Sequence, residues 1–224
     1  MTEQPHTPGG PQSVWDAPWF LIPALLFLAL ALALAYFVPY GDEILALNPL
    51  RREPLNSIFR FATYLGEVYS YCAAGIVLIA LRRYRFAALI AAIGLLMMPL
   101  SYYLKDVIGT MRPLTWFTDG GRWLEVVTVP GVRLASGYTS FPSGHTMSAF
   151  ALFGALALML HERHRRWGMA FALIAISVGI SRVFLVQHYL ADVLAGATLG
   201  LLVGTLVWQI ARTFHLIVIE EDTI

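Results

Sequence analysis

Two histidines and three cations stand where a strongly apolar chain has least room for charge. His145 lies in Phe141-Pro142-Ser143-Gly144-His145, and His188 lies four residues before Asp192 in Ser181-Arg182-Val183-Phe184-Leu185-Val186-Gln187-His188-Tyr189-Leu190-Ala191-Asp192. Lys105 and Arg112 bracket Lys105-Asp106-Val107-Ile108-Gly109-Thr110-Met111-Arg112-Pro113. An imidazole can act as base, acid or nucleophile near neutral pH. A guanidinium offers a planar fork matched to phosphate oxygens, and an ammonium acts as a point charge. Together these groups describe chemistry on an anion, phosphoryl transfer above all.

His188 and Asp192 share a face if their segment is helical. Asp192 then accepts a hydrogen bond from one ring nitrogen, which fixes the tautomer and leaves the other nitrogen electron-rich. Taken alone, the pair could also be an ordinary surface pair on a helix, the weaker of the two readings. Pro142 pre-sets a first helical turn. The amides that follow have no partner inside the helix and suit an anion. Gly144 admits the anion close to the backbone, Ser143 adds a hydroxyl, and His145 is in reach to protonate a leaving oxygen. These four residues alone also make an ordinary helix cap. Lys105, the only lysine in the chain, reads alone as an interfacial snorkelling residue. Arg182 stands six residues before His188. Asp106 and Asp192 are too few and too differently placed for a Mg²⁺ or Mn²⁺ cluster. A metal-free mechanism with no cofactor is therefore expected.

The elements that position these groups follow from hydropathy. Of 224 residues 58% are hydrophobic, mean hydropathy is +0.67, and 13% are charged. That charge share is about half of a soluble domain's. A net charge of +1 leaves no footprint for nucleic acid. The lone Cys72 allows neither an intrachain disulfide nor a thiolate cluster. Apolar segments run from about Pro18 to Tyr40, Ile58 to Leu81, Phe86 to Leu104, Ser143 to Leu160, Trp167 to Phe184 and Gln187 to Ile210. The second is the weakest, because it contains Arg60 and Glu67; Glu67 there suggests a face turned to the bundle interior. A soluble fold with so many apolar runs would have too little polar surface. The expected fold class is an all-α integral membrane bundle of six transmembrane helices.

Residues 1–16 are expected to be a disordered cytoplasmic tail rather than a signal peptide, with the six-helix domain over 17–211, an outer loop over 106–141, and a cytoplasmic tail over 212–224. Arg82, Arg83 and Arg85 in one short loop and Arg163, Arg165 and Arg166 in another mark the cytoplasmic side. Both termini then lie in the cytoplasm of a cell (inner) membrane protein, and Arg212 agrees. Arg51 and Arg52 fall on the opposite side and weigh against this. In an alternating bundle, all three clusters meet at the outer face, toward periplasm or exterior.

At this point a resemblance is specific. Lys105-(six residues)-Arg112-Pro113, Pro142-Ser143-Gly144-His145 and Ser181-Arg182-(five residues)-His188-(three residues)-Asp192 together resemble the three-part signature of the type 2 phosphatidic acid phosphatase (PAP2) superfamily. The motifs cover about Leu104 to Asp192. The resemblance implies a PAP2-like core and a metal-independent membrane lipid phosphatase acting through a phosphohistidine. It also implies His188 as nucleophile, Asp192 as its orienting partner and His145 as general acid. Lys105, Arg112, Ser143, Gly144 and Arg182 would bind the substrate phosphate.

A site at headgroup level, with access between helices for a tail, favours a membrane lipid substrate. Candidates are a polyprenyl pyrophosphate such as undecaprenyl pyrophosphate, phosphatidylglycerophosphate or phosphatidic acid, and lipid A. A phosphotransferase using the same site, and a transporter using Arg182, His188 and Asp192 as a charged path, are the alternatives. The stretch from Thr110 to Phe141 is the expected lid or headgroup-selecting loop, with Trp116, Phe117, Trp123 and Tyr138 more readily interface anchors than substrate contacts. Arg122 or Arg133 would be the residues to meet a second phosphate. Gly196, Gly200 and Gly204 form a stripe that suits bundle packing or a dimer equally, so oligomeric state is not encoded.

Overall fold

The computed structural model describes residues 14–217, and the regular elements among them are helices. A 3₁₀ turn at Val14–Asp16 leads into α1, Pro18–Phe37. Its proline in the first turn donates no N–H where none is needed. A one-turn α2, Asp42–Leu45, is followed by α3, Leu55–Tyr64, and α4, Val68–Ala80. Next come α5, Tyr84–Ile108, and the short α6, Pro113–Asp119. Largely irregular chain then reaches α7, Gly144–Leu158, and the bundle closes with α8, Gly168–Phe184, and α9, Leu190–Thr213. The expected tails fall mostly outside the described residues. Within them, 14–16 are helical and Ile217 is buried.

The six expected segments are recognisable, but not as six uniform crossings. Four helical stretches are long and apolar enough to span a bilayer, and the bent pair of α3 and α4 makes up to five. The second segment is interrupted at Leu65-Gly66-Glu67, and the two helices meet there at 61°. Glu67 thus sits at the break, as the N-cap of α4, instead of on the face of a continuous helix. The fourth segment, α7, has 15 residues. At 1.5 Å per residue that is about 22 Å, short of a bilayer's apolar core. It is also the most enclosed helix, packed between α5, α8 and α9.

The α7–α9 contact explains the glycine stripe. A Cβ on Gly196 would lie 2.5 Å from the Ser143 carbonyl oxygen, and one on Gly200 would lie 2.3 Å from that of Met147. Only glycine admits backbone this close, so these two glycines serve packing within the bundle. Large apolar side chains such as Leu26 and Leu30 on α1, Leu95 on α5 and Leu202 and Leu206 on α9 point outward. Such surface is unfavourable in water and suits hydrocarbon.

Arg51 has an internal role. Its guanidinium is buried and donates to the carbonyls of Ile44 at 3.0 Å and Phe184 at 2.8 Å, and to Asn48 Oδ1. It satisfies a carbonyl left open at the end of α8. A guanidinium committed in this way is part of the fold rather than a free loop charge.

Candidate active site

The three sequence clusters converge on one pocket of about 740 Å³. Lys105 comes from the last turn of α5, Gly144 and His145 from the first turn of α7, and Arg182 from the last turn of α8. Arg112 and His188 come from the connections before α6 and α9.

Local sequence explains each placement. Pro113 opens α6 and forces the preceding Arg112 into extended backbone (ψ 152°). The Arg112 side chain folds inward, where Nη1 donates to the Gln187 carbonyl at 2.8 Å and reaches His188 Nε2 at 3.2 Å. Its Nε meets Thr139 Oγ1 at 3.4 Å, and Lys105 Nζ donates to the Thr139 carbonyl at 3.0 Å. Arg182 Nη1 donates to Thr63 Oγ1, while its buried Nε has no hydrogen-bond partner among the described residues. The Gln187 and His188 amides both return to the Arg182 carbonyl, at 3.0 and 3.2 Å. The loop after α8 is therefore folded tightly under the site. Val186 is held there at φ +57°, a costly conformation for a β-branched residue.

His188 and Asp192 are paired, but not along a helix face. His188 precedes the N-cap residue Tyr189, and Asp192 is the third residue of α9. Asp192 Oδ2 receives the Tyr189 amide at 3.0 Å, closing a capping box, as well as His188 Nδ1 at 3.2 Å and Ser140 Oγ at 2.5 Å. The tautomer of His188 follows from its two partners. Arginine can only donate, so Nε2 beside Arg112 is the acceptor. Nδ1 then carries the proton that Asp192 accepts. Burial pushes the His188 imidazole well below its ordinary range, helped by the charges of Arg182, Arg112 and Lys105. A neutral ring with its lone pair on Nε2 is a competent nucleophile.

Ser143 departs from expectation. It is fully buried, its hydroxyl is 2.8 Å from Thr146 Oγ1, and it does not line the pocket. The expected hydroxyl donor is turned away because Thr146 lies one turn above it. Ser143 acts instead through its backbone, whose N–H donates to the Asp192 carbonyl at 3.0 Å. Gly144 does line the pocket; a Cβ there would sit 2.9 Å from Ser101 Oγ. His145 Nε2 lies 3.4 Å from Glu67 Oε1.

Sequence reasoning did not assign Glu67, Thr63, Thr139, Ser140 or Gln187 to the site. Only Glu67 carried a signal, as a charge inside an apolar run. The expected loop arginines lie elsewhere. Arg122 is held by Glu125 at 2.8 Å and Asp42 at 3.3 Å. Arg133 is exposed, and its carbonyl accepts from Gln187 Nε2 at 2.9 Å. Trp116 packs edge-on to Tyr40 and Tyr189 beneath the loop, an anchoring contact. Beside the charged pocket, and sharing Met98 and Ser148 with it, an apolar groove of about 1000 Å³ runs between α4 and α5.

The family model described as the PAP2 superfamily matches residues 83–215, which include all three clusters. The chain belongs to the PAP2 superfamily. It is similar to phosphatidylglycerophosphatase B of Bacillus subtilis, 34% identical over 202 residues that cover 82% of this chain and 90% of that one. It is also similar to a lipid A 1-phosphatase of Rhizobium johnstonii, 38% identical over 45% of this chain and 38% of the relative. Among solved structures, the transmembrane PAP2-type phosphatidylglycerolphosphate phosphatase of Bacillus subtilis superposes with a TM-score of 0.62 at 27% identity. That match covers 88% of this chain and 97% of the other. Aquifex aeolicus LpxE superposes with a TM-score of 0.60 at 26% identity, over 77% of this chain and 96% of that one. These relatives and the apolar helices make the PAP2 chain an integral membrane protein of a lipid phosphatase family.

Proposed function

We propose that this PAP2 protein releases inorganic phosphate from a lipid phosphate monoester or pyrophosphate through a phosphohistidine on His188. The observation that carries the reading is the environment of His188 Nε2. It is an unprotonated nitrogen, fixed by Asp192 on its far side, facing a pocket lined by Lys105, Arg112 and Arg182. In the first step Nε2 attacks phosphorus and the bond to the lipid oxygen breaks, with His145 giving that oxygen its proton. In the second, His145 takes a proton from water as the water attacks phosphorus, and the P–N bond breaks to restore His188. The cations and the first-turn amides of α7 hold the oxygens on which charge is spread.

The adjoining groove supports a lipid carrier, since it is apolar, meets the charged pocket and lies between helices that face the bilayer. Phosphatidylglycerophosphate is the first candidate, because the Bacillus subtilis relative matches nearly end to end. Polyprenyl pyrophosphate, phosphatidic acid and lipid A are the others. We read α3 and α4 as one bent crossing and α7 as a sixth, short because protein rather than lipid surrounds it. Both termini are then cytoplasmic and the pocket opens to the outer side. Residues 17–211 form the one catalytic domain under this reading.

The test is a panel of these lipids in vesicles, comparing kcat/KM for wild type and His188→Ala, with and without a chelator. Phosphate release that disappears in the variant and persists with chelator is expected. Full turnover by His188→Ala would remove the nucleophile, and loss on chelation would remove the metal-free mechanism.

A further inference from the structure

We propose that Glu67 is a positioning residue for the acid His145, forming a second histidine–carboxylate pair across the pocket from His188 and Asp192. The proposal rests on the role given to His145 above.

Glu67 is the N-cap of α4, with extended backbone (φ −95°, ψ 171°), yet its side chain makes no cap hydrogen bond. Residues at this position usually turn a side-chain oxygen onto their own helix. Glu67 instead reaches out of α4 to His145 Nε2, 3.4 Å away and 78 residues on in sequence. Both side chains are 30% exposed, and His145 and Gly66 line the pocket. The approach depends on the neighbouring glycine. A Cβ on Gly66 would lie 2.7 Å from the His145 carbonyl oxygen and 2.7 Å from Val178 Cγ1. The break between α3 and α4 therefore brings a carboxylate to the start of α7.

The chemistry needs such a group. To protonate a leaving oxygen, His145 must first hold two protons and a positive charge. It faces Lys105 from α5, Arg112 from the loop before α6, Arg182 from α8 and His188 from the loop before α9. Asp106 lines the same pocket, and Asp192 is spent on His188. Glu67 is the carboxylate within hydrogen-bond reach of the ring. It accepts the Nε2–H, stabilises the imidazolium and leaves Nδ1–H to pass its proton to the leaving oxygen, as a carboxylate does for the histidine of a catalytic triad. Glu67 also lies within electrostatic range of Arg182, so a purely structural role would be to balance that cation.

The experiment compares Glu67→Gln with wild type on two esters: a lipid phosphate, whose alkoxide must be protonated, and p-nitrophenyl phosphate, whose phenolate leaves unaided. kcat/KM is followed against pH for both. Glu67→Gln is expected to lose about 10- to 100-fold on the lipid, with its alkaline limb moved to lower pH, and less than about threefold on the aryl ester. Equal losses on both esters, or a raised KM with an unmoved alkaline limb, would assign Glu67 to structure or to Arg182 and overturn the proposal. Gly66→Ala, which displaces the break while keeping the carboxylate, should show the same ester discrimination. His188→Ala on the aryl ester separates the two ideas: activity there would sink the phosphohistidine reading, whereas wild-type behaviour of Glu67→Gln would sink only the role of Glu67.

Discussion

Asp192 Oδ2 lies 3.2 Å from His188 Nδ1 across the start of α9, with the histidine outside the helix and the aspartate within its first turn. The same oxygen caps the helix and fixes the ring. Asp192→Asn keeps the shape and removes the charge that favours the needed tautomer. By the precedent of triad aspartates, kcat should fall by about 10²–10⁴-fold. Steady-state phosphate release and thermal unfolding in detergent, measured together, check this. A lower unfolding midpoint with unchanged kcat would limit Asp192 to a helix cap.

The acidic limb of kcat/KM should lie below the ordinary imidazole value of about 6.5. Burial, Arg182, Arg112 and Lys105 all push His188 downward, so its neutral, nucleophilic form persists as pH falls through that value. The sign is testable. Arg112→Gln removes one of those charges, so the limb of the residual activity should move up toward 6.5. A limb that stays in place, or moves down, would contradict the electrostatic account.

Cys72 is the only cysteine, is exposed, and lines the groove between α4 and α5. A bulky lipid-soluble maleimide attached there should obstruct an acyl or isoprenoid chain but not a water-soluble ester. Loss of the chain's binding energy should cut lipid hydrolysis roughly tenfold or more. p-Nitrophenyl phosphate turnover should change little, and Cys72→Ser should be indifferent to the reagent. Equal inhibition of both substrates would mean that the groove does not carry the tail.

Gly200→Val should destabilise the bundle. Its Cβ would meet the Met147 carbonyl at 2.3 Å, a backbone atom that cannot rotate aside. Overpacking of this kind costs about 1–3 kcal/mol or more. The readout is a lower unfolding midpoint in detergent, set against the exposed control Leu202→Val. An unchanged midpoint would mean that α7 and α9 separate easily.

Much of this site could be read from residue type and spacing. Lys105, Arg112, Gly144, His145, Arg182 and His188 line one pocket, because polar groups at the ends of apolar segments collect at a bundle's end. What escaped depended on local geometry. The four-residue spacing of His188 and Asp192 suggested one helix face, but a loop-to-helix pair satisfies the same spacing. Ser143 looked like a donor, and nothing in the sequence showed that Thr146 would take its hydroxyl. The break at Gly66 was invisible to hydropathy averaging, since Leu65 and the apolar stretch after Glu67 preserve the mean. Arg51 looked like a misplaced loop charge because its partners, the carbonyls of Ile44 and Phe184, are backbone groups that composition does not register.

Asp192 also accepts the Ser143 amide on its own carbonyl, so one residue tethers the His188 ring by its side chain and the turn holding Gly144 by its main chain. His188 and the first turn of α7 are thus both tied to the start of α9. The wall formed by α4 and α5 shares neither tether. Substitutions such as those at Ile76 or Leu95 can therefore reshape the space for a tail without detuning the aim of His188. On the proposed reading, lipid preference can change at the groove while Glu67 and Lys105, at the ends of the same two helices, stay in place.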